Sequence, residues 1–408
     1  MLIKDKALRE RAELVIPGGM YGHQSAKYFT EDVPQYFSKA NGAYLWDYDN
    51  NQYIDYLCGY GTNLLGYLDQ RVESVASAQQ KVGDSMSGPS ELMITLAEDM
   101  TQMIGHADWA MFCKNGSDAT SMALVCARAY RNQSKVLVAE GAYHGAHTWN
   151  TPSLEGITAE DRSNIVYFKY NDIESLNDAI KSVDGQFAAI FATPFRHEVI
   201  YDQFMVTKEY AEYCRKKCDE HEALLVVDEV RTGFRLSRDC FWSTEYGVDP
   251  DLSTWGKCFA NGYPISALLG SNKARDAAQR IFVTGSFWFS STPMAAAIET
   301  LKIIRETNYL EIMTVNAEKL RQGLAKQADD YGYGLRQTGP AVMTQILFDG
   351  DDEVFKFGRN WVGHIMQQGS YFSFYHNMFI TSAHTENDIL KTLEHTDYAF
   401  SKLKKEAA

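Results

Sequence analysis

The chain has 408 residues, 45% hydrophobic and 23% charged, a balance that fits two or three globular domains or one large α/β unit with an appendage. Its net charge of −14 argues against nucleic acid or an anionic membrane surface as the main partner and favours a small molecule or another protein. The seven cysteines are scattered and include no CxxC pair, which supports neither a zinc ribbon nor a disulfide framework, so reduced thiols and a cytoplasmic location are expected.

The opening MLIKDKALRERAELV is charged from its start and does not read as a signal peptide. Within it, KDKALRERAELV predicts a surface helix ended by VIPGG. Next, AYLWDYDNNQYIDYL alternates apolar and polar residues around a DNN turn, which predicts a β-hairpin. ELMITLAEDMTQMI has apolar residues at helical spacing. From Trp109 the pattern changes to short apolar runs alternating with amphipathic ones: WAMFC, ATSMALVCARAYR, KVLVAE, SLNDAIKSV, AAIFATP, KEYAEYCRKKCDEH and LLVVDEV. Apolar strands between helices predict a mostly parallel sheet covered on both faces. This region ends near residue 300, where AAAIETLKIIRET opens a smaller α+β region. The longest run free of both charged residues and histidine, Ile281 to Ile298, contains Gly285, Pro293 and five serines or threonines, and is no membrane span. There is no internal repeat.

Open parallel sheets bind ligands outside the C-terminal ends of their strands. Four motifs fall at such ends. In KNGSDA, Gly116 and Ser117 either grip a phosphate at a helix N-terminus or form an ordinary turn capped by Ser117 or Asp118. Asp228 closes the apolar run LLVV; it either meets a protonated ring nitrogen or serves as a cap or salt-bridge partner. Tyr143 and His144 follow KVLVAEGA, where an aromatic face stacks on a flat ring or packs in the core. His144 and His147 have helical spacing but no third ligand, so no metal site is expected. Lys257 is the one charged residue of STWGKCFANGYPISALLGS. It is either a loop lysine at the surface or a desolvated, nucleophilic amine suited to Schiff-base chemistry. Together the four supply a phosphate grip, a stacking aromatic, a carboxylate for a pyridine nitrogen and a buried lysine, the parts that hold pyridoxal 5'-phosphate.

The same stretches, with PGG at Pro17–Gly19, CGYGTNLLGY, SGPSELMITLAEDM, AYHGAH, VVDEVRTGFRLS, STPMAAAIETL and FITSAHTENDI, resemble the class III aminotransferases of pyridoxal-phosphate fold type I. Within them, the likeness is to the glutamate-1-semialdehyde 2,1-aminomutase branch, over nearly the whole chain. The resemblance implies an α/β fold. A large domain with a mostly parallel central sheet, residues 61–300, would be joined by a smaller α+β domain from both termini, residues 1–60 and 301–408. It implies that Lys257 carries the cofactor and shuttles the proton. Asp228 would bind the pyridine nitrogen, Val230 and Tyr143 would cover the two ring faces with His144 nearby, and Gly116 and Ser117 would hold the phosphate. It also implies a homodimer with shared active sites, in which a residue before STPMAAA reaches the partner subunit's phosphate.

The chain departs from the branch where substrate binds. PGGMYGHQSA lacks the branch's carboxylate-binding arginine, Ser25 being nearest by offset. Trp288 stands where a threonine normally reaches the partner's phosphate, leaving Ser286, Ser290 or Ser291, of which Ser290 is taken. Thr193 replaces an acidic residue, His376 replaces a glutamate, and the arginine-plus-double-proline motif of ornithine and GABA aminotransferases is missing. Tyr21, His23, Gln24, Tyr60, Trp149, Arg196 and His376 are the candidate substrate contacts, with Arg196 best suited to a carboxylate. The expected function is transfer of an amino group between small-molecule amine and carbonyl substrates through a Lys257 Schiff base and pyridoxamine phosphate. The alternatives are an intramolecular aminomutase, which needs no separate acceptor, and a pyridoxal-phosphate-binding protein without catalysis, for which Lys257 and Asp228 would have no chemical use.

Overall fold

The computed structural model describes residues 2–22, 33–196, 201–352 and 354–406. Its centre is a seven-stranded sheet in the order Trp109–Cys113, Ser266–Gly270, Leu252–Trp255, Leu224–Asp228, Ala189–Ala192, Val136–Ala139, Ile165–Phe168. All strands run parallel except Ser266–Gly270, which is antiparallel to both of its neighbours. The apolar runs are continuous because both faces are covered. Leu224 and Val226 enter one core cluster, while Leu225 and Val227 enter the other, and all four are fully buried. Burial of such aliphatic side chains stabilises by about 1.5–3 kcal/mol each.

The helix Gly116–Arg131 covers one face through Ala119, Ala123 and Ala127, small residues that let it lie close to the strands. The helix Lys208–Glu220 covers the other through Tyr210, Ala211, Cys214 and Cys218. All seven cysteines are buried and unbridged.

The predicted hairpin is present as Tyr44–Asp47 and Gln52–Asp55, antiparallel to each other. Phe37–Asn41 extends this sheet on one side, and the late strand Ser370–Tyr371 adds in parallel beside Gln52–Asp55 on the other. The two ends of the chain therefore share one small sheet. The predicted helix AAAIETLKIIRET begins earlier, at Ser291, because Pro293 sits in its first turn, where no N–H is needed. It spans Ser291–Glu306 and packs on the helices Gln70–Val82 and Leu92–Met103. Among the described residues no helix is long and apolar enough to cross a membrane.

Candidate active site

Strands Trp109–Cys113, Leu224–Asp228 and Leu252–Trp255 end on a cavity of about 310 Å³, closed on another side by the segment Gly262 to Ser266. Lys257, Asp228, Gly116, Ser117, Tyr143, His144 and Val230 all line it, so the structure brings the four motifs to one place.

Asp228 is 7% exposed. Burial pushes its carboxyl up, but donors more than offset this, and it is held below the usual carboxylate range. His144 Nδ1 lies 2.8 Å from Oδ2; Val230 N–H and the Thr254 hydroxyl donate to Oδ1 at 3.0 and 2.9 Å. Thr254 is the direct neighbour of Asp228 across the parallel pair of strands. His144 is itself fixed, its N–H donating to Asn150 Oδ1 at 3.0 Å and its carbonyl accepting from Thr120 Oγ1 at 2.6 Å.

Lys257 follows the strand Leu252–Trp255 and opens a 3₁₀ turn, Lys257–Ala260. Its φ of 47° is left-handed, a conformation that costs free energy for a side-chain-bearing residue and is concentrated at functional positions. Before it, Gly256 leaves no room for a Cβ, which would lie 2.6 Å from Ser266 Oγ. The lysine is enclosed by protein yet reachable from the cavity. Burial, and next the neighbouring Arg231, lower its amine to about 8.

The helix Gly116–Arg131 points its N-terminus at the cavity, with a capping box between Asn115 and Asp118. Two glycines make close approach possible. A Cβ on Gly116 would lie 2.5 Å from Val230 Cγ1, and one on Gly145 would lie 2.5 Å from Ser117 Oγ. The Ser117 hydroxyl accepts from Ala146 N–H at 3.0 Å. These features fit pyridoxal phosphate. They provide free backbone N–H groups and a hydroxyl for an anion, a carboxylate kept ionised for a protonated ring nitrogen, and an amine for an aldehyde.

The candidate substrate contacts are dispersed. Tyr60 lines the cavity, in a left-handed conformation with φ 58°. His376 meets it edge-on, with ring centroids 5.2 Å apart, but is 5% exposed and donates from Nδ1 to its neighbour's carbonyl, Asn377 O, at 2.7 Å. Trp149 lies behind His144, stacked at 6.2 Å and 7°, with its N–H on Ser121 Oγ, and is not part of the cavity wall. Arg196 belongs to a two-residue strand paired with Phe204–Met205; Phe195 beside it reaches the wall and Arg196 does not. Tyr21 is 72% exposed. His23 and Gln24 lie outside the described residues. Ser290 is also off the wall and donates to Asp84 Oδ2 at 2.7 Å. Thr193 is on it, its hydroxyl donating to Phe195 O at 3.0 Å.

Sequence reasoning passed over Thr254 and Arg231. Arg231 lines the cavity and donates from Nη1 to Asn377 Oδ1. Burial lowers its guanidinium to about 10. The signal for it was present in DEVRTGF, which places an arginine three residues past a buried carboxylate.

Residues 28–395 match the family model described as aminotransferase class-III. The chain belongs to the class III aminotransferases. It is 59% identical to an aminopentol aminotransferase of Sphingopyxis macrogoltabida, over 98% of this chain and 94% of that protein. It is 30% identical to a glutamate-1-semialdehyde 2,1-aminomutase of Desulforamulus reducens, over 99% of both chains. Among solved structures, the FumI protein of Sphingopyxis sp. MTA144, in its PLP internal aldimine form, is 58% identical with a TM-score of 0.96, covering 99% of this chain and 97% of that one. The aminotransferase is thus pyridoxal-phosphate dependent and of fold type I, and the aminomutase likeness of its motifs is the more distant one.

Proposed function

We propose that this aminotransferase takes the amino group from a hydroxylated amine without a carboxylate and passes it to a carbonyl acceptor, using Lys257 to carry the proton. The observation that carries the reading is the convergence of Lys257, Asp228 with His144, and the N-terminus of the helix Gly116–Arg131 on one cavity. When bound, pyridoxal phosphate supplies an aldehyde that reacts with amines and a ring that accepts the electron pair of a broken C–H bond. Asp228, held ionised, would keep the ring nitrogen protonated. Gly116 and Ser117 would hold the phosphate, and Tyr143 and Val230 would flank the ring. Lys257 Nζ, a free amine above about pH 8, would accept the proton from the donor's amine-bearing carbon and deliver it to the cofactor carbon that bore the aldehyde oxygen, and would carry a proton the other way when the acceptor is aminated.

The donor class rests on two supports. The 59%-identical relative is named for an aminopentol, a polyhydroxylated amine. The cavity wall includes the neutral hydroxyl-bearing residues Tyr60, Thr62, Thr193 and Tyr263; the hydroxyls of the last three donate within the chain and keep the capacity to accept. The chain acts as a cytoplasmic homodimer divided at about residues 60 and 300. Phe282 and Phe287, 91% and 58% exposed and shortly before Ser290, support an interface there, with Ser290 reaching the partner's phosphate.

The test is the visible spectrum of the protein loaded with pyridoxal phosphate, followed through a panel of amines without acceptor. A band that bleaches with amino polyols and returns on adding a carbonyl acceptor is expected, with no such cycle in Lys257→Ala. Bleaching only with amino acids would overturn the donor class. A protein that remains colourless with the cofactor would overturn the role of Lys257.

A further inference from the structure

The cavity wall carries an excess of positive charge: Lys114, Arg231 and Lys257 against the single carboxylate of Asp228. Asp228 is already engaged by His144. Lys114 turns toward Phe287, its Nζ 5.0 Å from the ring centroid. Lys257 is needed as a free amine. Arg231 is the remaining cation, and the one guanidinium among the described lining residues.

Its surroundings suit an anion. The hydrogen bond from Nη1 goes to a neutral amide, Asn377, and Nε and Nη2 have no partner among the described residues. Asn377 is 2% exposed, and its Nδ2 is buried without a partner as well. A guanidinium and an amide, both with unused donors, stand side by side between the loop after Asp228 and the C-terminal segment. A planar carboxylate is matched by the guanidinium fork, and Arg231 is half-buried, so its unused donors can be reached from the cavity.

We propose that Arg231, steadied by Asn377, binds the carboxylate of the amino acceptor and thereby selects a 2-oxo acid as that acceptor. This rests on the transamination reading above. It assigns carboxylate recognition neither to the stretch after PGG nor to Arg196, and it lets one cavity serve a donor without a carboxylate and an acceptor with one. The carboxylate is only bound here; the bonds that change are at the neighbouring carbonyl carbon.

The test compares pyruvate with propanal, which lacks the carboxylate, as acceptors for the amine-treated enzyme, followed by return of the visible band. In Arg231→Gln the ratio of kcat/KM for pyruvate to that for propanal should fall about 30- to 100-fold, carried by KM. Arg231→Lys should recover only part of it. Asn377→Leu, which leaves the cation in place, should raise the KM for pyruvate more than it lowers kcat. Titration of the loaded enzyme with propionate, read as a shift of the band, should show affinity at least about tenfold weaker in Arg231→Gln. An unchanged acceptor ratio, or unchanged propionate binding, in a wild-type background that does transaminate overturns Arg231 alone. A wild-type enzyme whose band no acceptor restores overturns the transamination reading and this assignment with it.

Discussion

Lys257 and Arg231 sit in the same cavity, and the arginine biases the lysine. Burial, then the Arg231 cation, destabilises the ammonium of Lys257, which is why its amine titrates at about 8 instead of 10.5. The free amine is the form that attacks an aldehyde. Combination of the cofactor-free protein with pyridoxal phosphate should therefore quicken as pH rises through about 8 and level off above it. Arg231→Gln removes a positive neighbour, favours the ammonium, and should move that midpoint upward. Stopped-flow growth of the visible band across pH would show both, and a wild-type rate still climbing near the ordinary lysine value would contradict the assignment. Lys257 and Asp228 were legible in the sequence because a lysine and a carboxylate are out of place in small or apolar runs. Arg231 was passed over, although DEVRTGF sets it three residues past Asp228, since an arginine in a polar loop reads as solvated. Thr254 was not legible, because its contact with Asp228, 26 residues away, depends on the register of two parallel strands.

Among the elements, apolar strands alternating with helices were readable because burial of both faces leaves a composition signal. The direction of Ser266–Gly270 was not readable. That strand is antiparallel within a parallel sheet, and its residues carry no mark of orientation. The joint between the helix Gly116–Arg131 and the loop after Val136–Ala139 is the most sharply constrained contact at the site. Gly145 has φ +107°, and a Cβ there would meet Ser117 at 2.5 Å from Oγ and 2.8 Å from Cα. The backbone at Ser117 begins a helix and cannot simply rotate away. Gly145→Ala should destabilise the protein by about 1–3 kcal/mol in urea unfolding. It should also weaken pyridoxal-phosphate binding about tenfold, the equivalent of one lost phosphate hydrogen bond. Gly156→Ala is the matched control. Its φ of +74° is also positive, but nothing lies within 4 Å of the added Cβ, so it should cost some stability and no cofactor affinity. Equal loss of cofactor affinity in both would mean that the close approach to Ser117 is not what shapes the phosphate grip.

For the whole molecule, what matters is how the two chain ends are fastened to the large sheet. The shared small sheet of Gln52–Asp55 and Ser370–Tyr371 could not be read from sequence, since it pairs segments more than 300 residues apart through only two residues of the later strand. Arg235 supplies a second fastening. It is 0% exposed, just beyond the Asp228 loop. Its guanidinium donates to Ile380 O at 2.8 Å, Gly61 O at 3.1 Å and Asn63 O at 3.5 Å, and lies 4.9 Å from the Phe379 ring centroid. One side chain thus bridges the stretch after Asp228, the stretch after Tyr60 and the stretch after His376 and Asn377. Arg235→Leu keeps the bulk but leaves those carbonyls without a donor in a buried place, which should cost about 3 kcal/mol or more in urea unfolding. Because Tyr60 and Asn377 are carried by the segments it pins, KM for both substrates should rise while the visible band of the bound cofactor persists. Arg235→Lys cannot reach three acceptors with one ammonium and should recover only part of the loss. If Arg235→Leu instead unfolded at the wild-type urea concentration, the carbonyls would have to have found other donors, and the remaining bonds to the C-terminal segment, among them Ser382 N–H to Leu64 O at 3.0 Å and Arg231 to Asn377 Oδ1, would be enough to hold it over the cavity.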